Sequence, residues 1–177
     1  MSRLEKQRGA LLFVGRAECV KCHTGPRLTD DAFHNVGLSP AVVAVAIQDT
    51  DDRGAAFGIS EALKDPTSSA GPLSDGDRQR LPSSLGPELE GAFRTPGLRC
   101  NARHPSFMHT GQLRSVAQVV DFFDRGGDRA GHYPGTSELH ALGLTEQQKT
   151  DLIAFLATLN GPGPETTLRA ARAPQSP

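Results

Sequence analysis

Hydrophobic residues recur at helical intervals in three segments of this chain, and the pattern is lost between them. The first segment runs from about Leu4 to Cys22, the second covers about 116–125, and the third covers about 145–159. Each of the last two follows a Ser or Thr that is three residues ahead of a Gln, a capping-box pattern that marks the start of a helix. We therefore predict three helices and, because strand-like alternation is not visible, an all-α fold.

The longest stretch without a clear pattern lies between Pro26 and Pro96. It is rich in the turn-forming residues Gly, Pro, Ser and Asp, which interrupt every short apolar run. We predict a long irregular loop, with short helices near positions 60 and 76. A loop of this length in a compact domain usually has a function or wraps a ligand.

Length and composition limit the classes of protein to consider. The 177 residues suit one domain, which we predict at 1–160, followed by a disordered tail at 161–177 that has few apolar residues. The net charge is −1 without a basic cluster, so we expect no nucleic-acid partner. The longest apolar run, at 41–47, is far shorter than the ~18 residues of a membrane helix. The N-terminus does not have the pattern of a secretion signal.

The strongest chemical signal is the Cys-x-x-Cys-His motif formed by Cys19, Cys22 and His23. A redox dithiol would need a βαβ context, which the sequence does not show. A zinc site would need four ligands, and Cys100 is the one other thiol available. Covalent attachment of haem c uses the same neighbours differently, because the sulfurs bond to the porphyrin edge while the imidazole reaches iron. A chance match in a packed helix also stays open.

Met108 bears on this choice, since it is the only methionine besides Met1. It lies in the turn-rich stretch HPSFMHTG rather than in an apolar helical pattern, so it is either a gap filler or a soft sulfur ligand. His109 is the nearest rival ligand. A haem iron with His and Met on its two axial positions has no open coordination site, and it passes electrons rather than binding peroxide.

At this point the sequence resembles a known family, the bacterial dihaem cytochrome c peroxidases and their MauG-like relatives, specifically the C-terminal haem domain. The resemblance rests on four motifs in the family's order: GALLFVGRAECVKCHTGPRLTDDAFHNVGL, GAFRTPGLR, PSFMHTGQLRSVAQVVDFFDRGG and LGLTEQQKTDLIAFLATLNG. It implies a cytochrome c-like fold with a long loop insertion. It also implies that Cys19 and Cys22 carry the thioether bonds, His23 is the proximal ligand, and Met108 is the distal ligand. Arg99 is then a candidate partner for a haem propionate, since guanidinium matches carboxylate geometry.

Two departures from the family stand out. Cys100 stands where the family commonly has Asn, and the chain has one Cys-x-x-Cys-His motif where the family has a second one in an N-terminal domain. The missing signal pattern and the single motif predict a piece of a longer periplasmic precursor. A free-standing monohaem cytochrome, the haem domain of a MauG-like oxidase, and a peroxidase site exposed when Met108 leaves the iron are the alternatives.

The resemblance further implies a relay function. The haem of this domain would take electrons from a small donor protein, a cytochrome c or cupredoxin, and pass them to a peroxide-reducing haem in the N-terminal domain. Calcium between the two domains is also expected, with ligands that the sequence does not identify. A homodimer is compatible with this interpretation.

Overall fold

The computed structural model describes residues 1–40, 53–69, 71–73 and 85–161. The described part is mostly helical. Its four α-helices are α1 (Arg3–Val14), α2 (Ala55–Ala62), α3 (Val116–Asp124) and α4 (Glu146–Leu156). Short 3₁₀ helices occupy Cys19–Lys21, Pro87–Leu89, Asn101–Arg103 and Ala157–Leu159, and two strands of two residues each are β1 (Phe33–His34) and β2 (Phe93–Arg94).

Helix α1 is shorter than predicted. A capping box between Ser2 and Glu5 starts it, and it ends at Val14 because Gly15 leaves the helical conformation. The prediction that this helix continues to Cys22 is wrong. Glu18 adopts a left-handed conformation with φ 55°, which breaks the helical path, and Cys19 then begins a separate 3₁₀ turn.

The helices predicted near positions 60, 116 and 145 are confirmed as α2, α3 and α4. Helix α4 has the predicted capping box between Thr145 and Gln148. At α3 the Ser115 side chain accepts from the Gln118 amide, but the Gln118 side chain turns to the amide of Arg114 instead. The predicted helix near 76 and nearly all of the predicted tail lie outside the described residues.

The main core forms where α1 crosses α4. Gly9 makes this crossing close: a Cβ there would lie 1.9 Å from the carbonyl oxygen of Asp151. The rings of Phe13 and Phe155 meet beside it, with centroids 5.2 Å apart. The side chain of Arg8 forms two hydrogen bonds with the buried Asp151 carboxylate, at 2.6 and 2.8 Å. The buried residues of this core are Phe13, Ala17, Val120, Leu144, Leu152 and Leu156.

A short antiparallel ribbon pairs β1 with β2, with Phe33 opposite Arg94 and His34 opposite Phe93. A smaller core of Ala55, Ile59, Leu89 and Ala92 packs near it, against Phe33. The described part is therefore mostly helical, with two strands that the all-α prediction did not include. Strands of two residues are too short to produce visible alternation in the sequence. Among the described helices, none is both long enough and apolar enough to cross a membrane.

Candidate functional site

The Cys-x-x-Cys-His motif is folded into one tight turn. Cys19 begins a 3₁₀ helix, Cys22 is its C-cap, and the amide of His23 donates to the Cys19 carbonyl at 2.9 Å. Both thiols are free and partly buried. Burial raises the pKa of Cys19 to about 11, and burial followed by the charge of Asp30 raises the pKa of Cys22. A redox-active dithiol needs a lowered thiol pKa, so this turn is unsuited to that chemistry.

The imidazole of His23 is held in one orientation by the chain that follows it. Its Nδ1 lies 3.0 Å from the carbonyl oxygen of Leu28, a contact satisfied when Nδ1 carries the hydrogen and donates it. Burial lowers the pKa of His23, although the backbone carbonyls of Leu28 and Pro96 and the charge of Asp30 oppose this. A neutral imidazole that donates from Nδ1 offers its Nε2 lone pair to a metal, the arrangement typical of ligating histidines.

Met108 lies in a small closed loop. The amide of Phe107 donates to Leu113 at 2.8 Å and the reverse bond is 3.4 Å, so residues 107 and 113 form an antiparallel bridge. Met108 is partly buried and adopts a left-handed conformation with φ 66°, uncommon for a residue other than glycine. Its carbonyl accepts from the Gly111 amide at 3.1 Å. The loop thus fixes the backbone of the predicted sulfur ligand.

A ring stack ties this loop to the β-ribbon. The rings of His109 and Phe93 are nearly parallel, with centroids 3.7 Å apart and an angle of 12°. Phe93 pairs with His34 in β1, and the Thr29 hydroxyl donates to the Thr95 carbonyl at 2.7 Å. Contacts therefore run from the segment after His23, through the ribbon, to the loop of Met108.

The loop also contains buried polar atoms that the described chain leaves without a hydrogen-bond partner. Four such side-chain atoms occur among the described residues: Glu90 Oε2, Asn101 Oδ1, Thr110 Oγ1 and Gln112 Oε1. Two of them, on Thr110 and Gln112, belong to the loop of Met108. Since buried polar groups in proteins are nearly always paired, these atoms are places where a partner beyond the described residues would bind.

Arg99 contacts the segment that follows the motif, whereas Cys100 contacts the C-terminal end of the described helices. The exposed side chain of Arg99 donates from Nε to the carbonyl of Pro26 at 2.6 Å, three residues after His23. Cys100 adopts φ 61°, and its amide donates to Leu159 at 3.0 Å. The described residues contain one group of three or more metal-capable His, Cys, Asp or Glu side chains, and Cys100 is not in it.

That group consists of Cys22, Asp30 and His34, whose candidate ligand atoms lie within 4.8 Å of one another. His34 is held from both sides, with Nε2 2.9 Å from Asp30 Oδ2 and Nδ1 2.7 Å from Glu138 Oε2. Burial alone would lower the pKa of His34, but the bonds to Glu138 and Asp30 outweigh it and raise this pKa. From the sequence, His34 is only a weak iron-ligand candidate. The i, i+4 spacing of Asp30 and His34 was an available signal, whereas Glu138 is 104 positions from His34.

Comparison with curated proteins finds relatives among cytochrome-c peroxidases and MauG proteins. The chain is 36% identical over 159 residues to the cytochrome-c peroxidase IdrP1 of Denitromonas iodatirespirans, which covers 88% of this chain and 40% of that protein. It is 30% identical over 165 residues to the methylamine utilization protein MauG of Methylorubrum extorquens, covering 93% of this chain and 37% of MauG. A comparison with models of known protein families gives no match.

Solved structures agree on the fold. A MauG-like protein associated with microbial copper homeostasis superimposes with a TM-score of 0.58 at 26% identity, over 90% of this chain and 48% of that one. The dihaem peroxidase BthA of Burkholderia thailandensis gives a TM-score of 0.56 at 21% identity, over 90% of this chain and 43% of BthA, and supports the fold alone. The fold is thus consistent with the cytochrome c-like fold of the dihaem peroxidase relatives.

The curated relatives are named as cytochrome-c peroxidases and MauG proteins, which supports a haem-based redox function. The chain spans about 40% of the length of the curated relatives that it matches, which is consistent with one domain of a MauG-like protein. The residues of the site fit the c-type haem that these relatives imply. They include two thiols in one turn, an oriented neutral imidazole, a thioether on a fixed loop, and a buried hydroxyl without a partner in the described chain.

Proposed function

We propose that this chain binds one haem c and transfers electrons through it. Cys19 and Cys22 form the two thioether bonds, His23 is the proximal ligand and Met108 is the distal ligand. The observation that carries this proposal is the hydrogen bond from His23 Nδ1 to the Leu28 carbonyl, because it orients the ring and leaves Nε2 as the metal-binding nitrogen.

The bound haem supplies a one-electron redox centre, and the chain determines how that centre is used. The bond of His23 to Leu28 holds the imidazole in place, and the bridge between Phe107 and Leu113 closes the loop of Met108. His23 and Met108 would both hold the iron in this arrangement, and no position would then be left for peroxide. Methionine opposite histidine also favours a high reduction potential, as suits a relay.

The domain context of the proposal follows from the relatives. Since the chain spans about 40% of proteins named as cytochrome c peroxidases, we assign it the role of the electron-relaying, C-terminal domain of a dihaem peroxidase that reduces hydrogen peroxide. Its partners are then an N-terminal domain with the peroxide-reducing haem and a small donor protein, a cytochrome c or cupredoxin. Calcium between the domains, a periplasmic location and a homodimer belong to the same proposal.

A MauG-like oxidase is the second candidate, supported by the match to MauG and by the MauG-like solved structure. By resemblance, the methylamine-utilisation branch has tyrosine at the distal position, and Met108 therefore favours the peroxidase branch. A free-standing monohaem electron carrier uses the same haem site without a partner domain. Peroxide turnover by the isolated chain would contradict both electron-relaying interpretations.

Substitution of Met108 tests the axial assignment. The ferric haem protein should show the weak far-red absorption band of iron bound to methionine sulfur, and Met108→Leu should abolish it. His109→Gln is the matched control, because it removes the adjacent rival ligand and should keep the band. A band that is absent from the wild-type protein, or that survives in Met108→Leu, would reject Met108 as the distal ligand.

A further inference from the structure

The loop that carries Met108 is closed by backbone hydrogen bonds, but it contains one buried hydroxyl that has no hydrogen-bond partner among the described residues. The bridge between Phe107 and Leu113 and the bond from Gly111 to Met108 close the loop. Thr110 Oγ1 is buried and has no partner among the described residues. This hydroxyl lies two residues after the proposed sulfur ligand. The same loop contacts the β-ribbon through the stack of His109 on Phe93.

Thr110 differs in kind from the three other buried atoms in the same situation. Glu90, Asn101 and Gln112 each leave one oxygen unpaired, but the second polar atom of each side chain is bonded. Glu90 Oε1 accepts from Arg53, the Asn101 amide nitrogen donates to two carbonyls, and the Gln112 amide nitrogen donates to the Ser39 carbonyl.

Among the described residues, a buried hydrogen-bond donor without an acceptor therefore occurs at one position. The unpaired carboxylate and amide oxygens can accept but cannot donate, whereas a threonine hydroxyl can donate. Within the described ranges, Thr110 is the one buried, unpaired side-chain group able to donate a hydrogen bond. We expect this hydroxyl to have an acceptor, because a buried donor without one lowers the free energy of unfolding.

We propose that the Thr110 hydroxyl donates a hydrogen bond to a propionate of the bound haem. This inference rests on the proposed function and deepens it, because it adds a haem-positioning residue to the four attachment and axial residues. The propionates are the only carboxylates of a haem c, and a charged acceptor strengthens a hydrogen bond from a hydroxyl. Gln112 Oε1, an acceptor, cannot do this, so the two neighbouring unpaired atoms have different roles.

The bond would give the distal loop a second tie to the haem. Met108 holds the iron from its sulfur, and Thr110 holds the edge of the ring two residues later. Arg99, the propionate partner expected from the resemblance, stays a prediction; its exposed side chain donates from Nε to the Pro26 carbonyl. Thr110 would add a buried contact to the haem.

Resonance Raman spectra of the haem-loaded protein test the proposal, since the bending bands of the propionates respond to their hydrogen bonds. Thr110→Val keeps the shape of the side chain and removes the hydroxyl, so one propionate band should shift. Thr110→Ser keeps the hydroxyl and should restore the wild-type band. Thr150→Val is the matched control, because the exposed Thr150 hydroxyl donates within α4, to the Glu146 carbonyl, and this variant should leave both bands unchanged.

The outcomes separate this proposal from the proposed function. Unshifted propionate bands in Thr110→Val, in a protein that still has covalent haem and the methionine band, would overturn the role of Thr110 alone. A shift of equal size in Thr150→Val would overturn it as well. A chain that attaches no haem under conditions of cytochrome c maturation would overturn both proposals.

Discussion

Gly9 of α1 lies directly against the backbone of Asp151 in α4, close enough that a Cβ on Gly9 would be 1.9 Å from the Asp151 carbonyl oxygen. The obstacle is backbone, which cannot rotate away as a side-chain end could. This contact brings Phe13 of α1 to Phe155 of α4, and the turn of Cys19 and Cys22 follows α1 directly. The crossing of α1 and α4 therefore positions the start of the Cys-x-x-Cys-His motif.

Gly9→Ala should destabilise the protein. The added methyl group forces α1 away from α4, and overpacking of this kind costs about 1–3 kcal/mol or more of unfolding free energy. Denaturant unfolding of the haem-loaded chain measures it. Gly58→Ala is the matched control: Gly58 lies inside α2, and a Cβ added there would have nothing within 4 Å, so alanine should stabilise by about 0.5–1 kcal/mol. Equal stability of Gly9→Ala and wild type would contradict the close crossing.

Cys100→Asn should stabilise the protein, because Cys100 adopts a left-handed conformation with φ 61° and Asn tolerates this region better than most residues. The position is also the one where the sequence departs from the Asn common in the family. The expected gain is a few tenths to about 1 kcal/mol of unfolding free energy, on the scale of backbone-conformation substitutions. Cys100→Ala keeps the strained backbone without Asn's preference and should give no such gain. Loss of stability in Cys100→Asn would contradict this prediction and would show that the packing of the thiol contributes more to stability than relief of the left-handed backbone conformation.

His34 should make the stability of the protein depend on pH. Its pKa is raised in the folded state, so protonated His34 favours folding; the stabilisation is fully present below the unfolded pKa of about 6.5 and is lost as pH rises through the raised folded pKa. His34→Gln should therefore lose more stability relative to wild type at low pH, below the unfolded pKa, than at pH values well above the folded pKa. Thermal unfolding at a series of pH values measures the difference.

The exposed His104 supplies the control for that series. His104→Gln is a matched substitution, because it removes an exposed histidine that lies outside the contacts of His34 with Asp30 and Glu138. A difference between His34→Gln and wild type that grows as pH rises would contradict the sign of the raised pKa.

Phe93→Leu should loosen the bond between iron and Met108 without removing either ligand. Leucine keeps much of the apolar volume but loses the stack on His109, an interaction worth about 0.5–1.5 kcal/mol. The ferric methionine band should then disappear at a concentration of a competing ligand such as imidazole that is lower by roughly two- to thirteenfold. Phe123→Leu, which alters an aromatic contact within α3 instead, should leave that concentration unchanged. If both variants lost the band at the same imidazole concentration, the stack of Phe93 on His109 would not stabilise the binding of Met108 to iron.

The parts of the fold that follow from local signals could be predicted from the sequence. Ser115 and Thr145 each have the side-chain bond to the amide three residues later that starts a helix, and apolar spacing then continues α3 and α4. The end of α1 could not be predicted from apolar spacing, because it depends on the backbone conformations of Gly15 and Glu18. The ribbon of β1 and β2 was missed because each strand has two residues.

The candidate site likewise contains residues that could be predicted from the sequence and contacts that could not. Cys19, Cys22 and His23 are contiguous enough to be found as a motif, and Met108 is identified by its unusual sequence context. The contact of His34 with Glu138 and the stack of Phe93 on His109 join residues far apart in the chain, so they depend on the folded structure. The unpaired hydroxyl of Thr110 is likewise a property of burial, which a single sequence does not display.

The mass and haemochrome spectrum of the chain, produced in a host that matures c-type cytochromes, test the central claim most directly. The account predicts one haem per chain that denaturation does not remove, with the spectrum of a haem joined through two thioether bonds. Cys19→Ser and Cys22→Ser should each reduce this to a single thioether bond, with the matching change in spectrum. An intact wild-type chain with the mass of the bare polypeptide under these conditions would contradict the account.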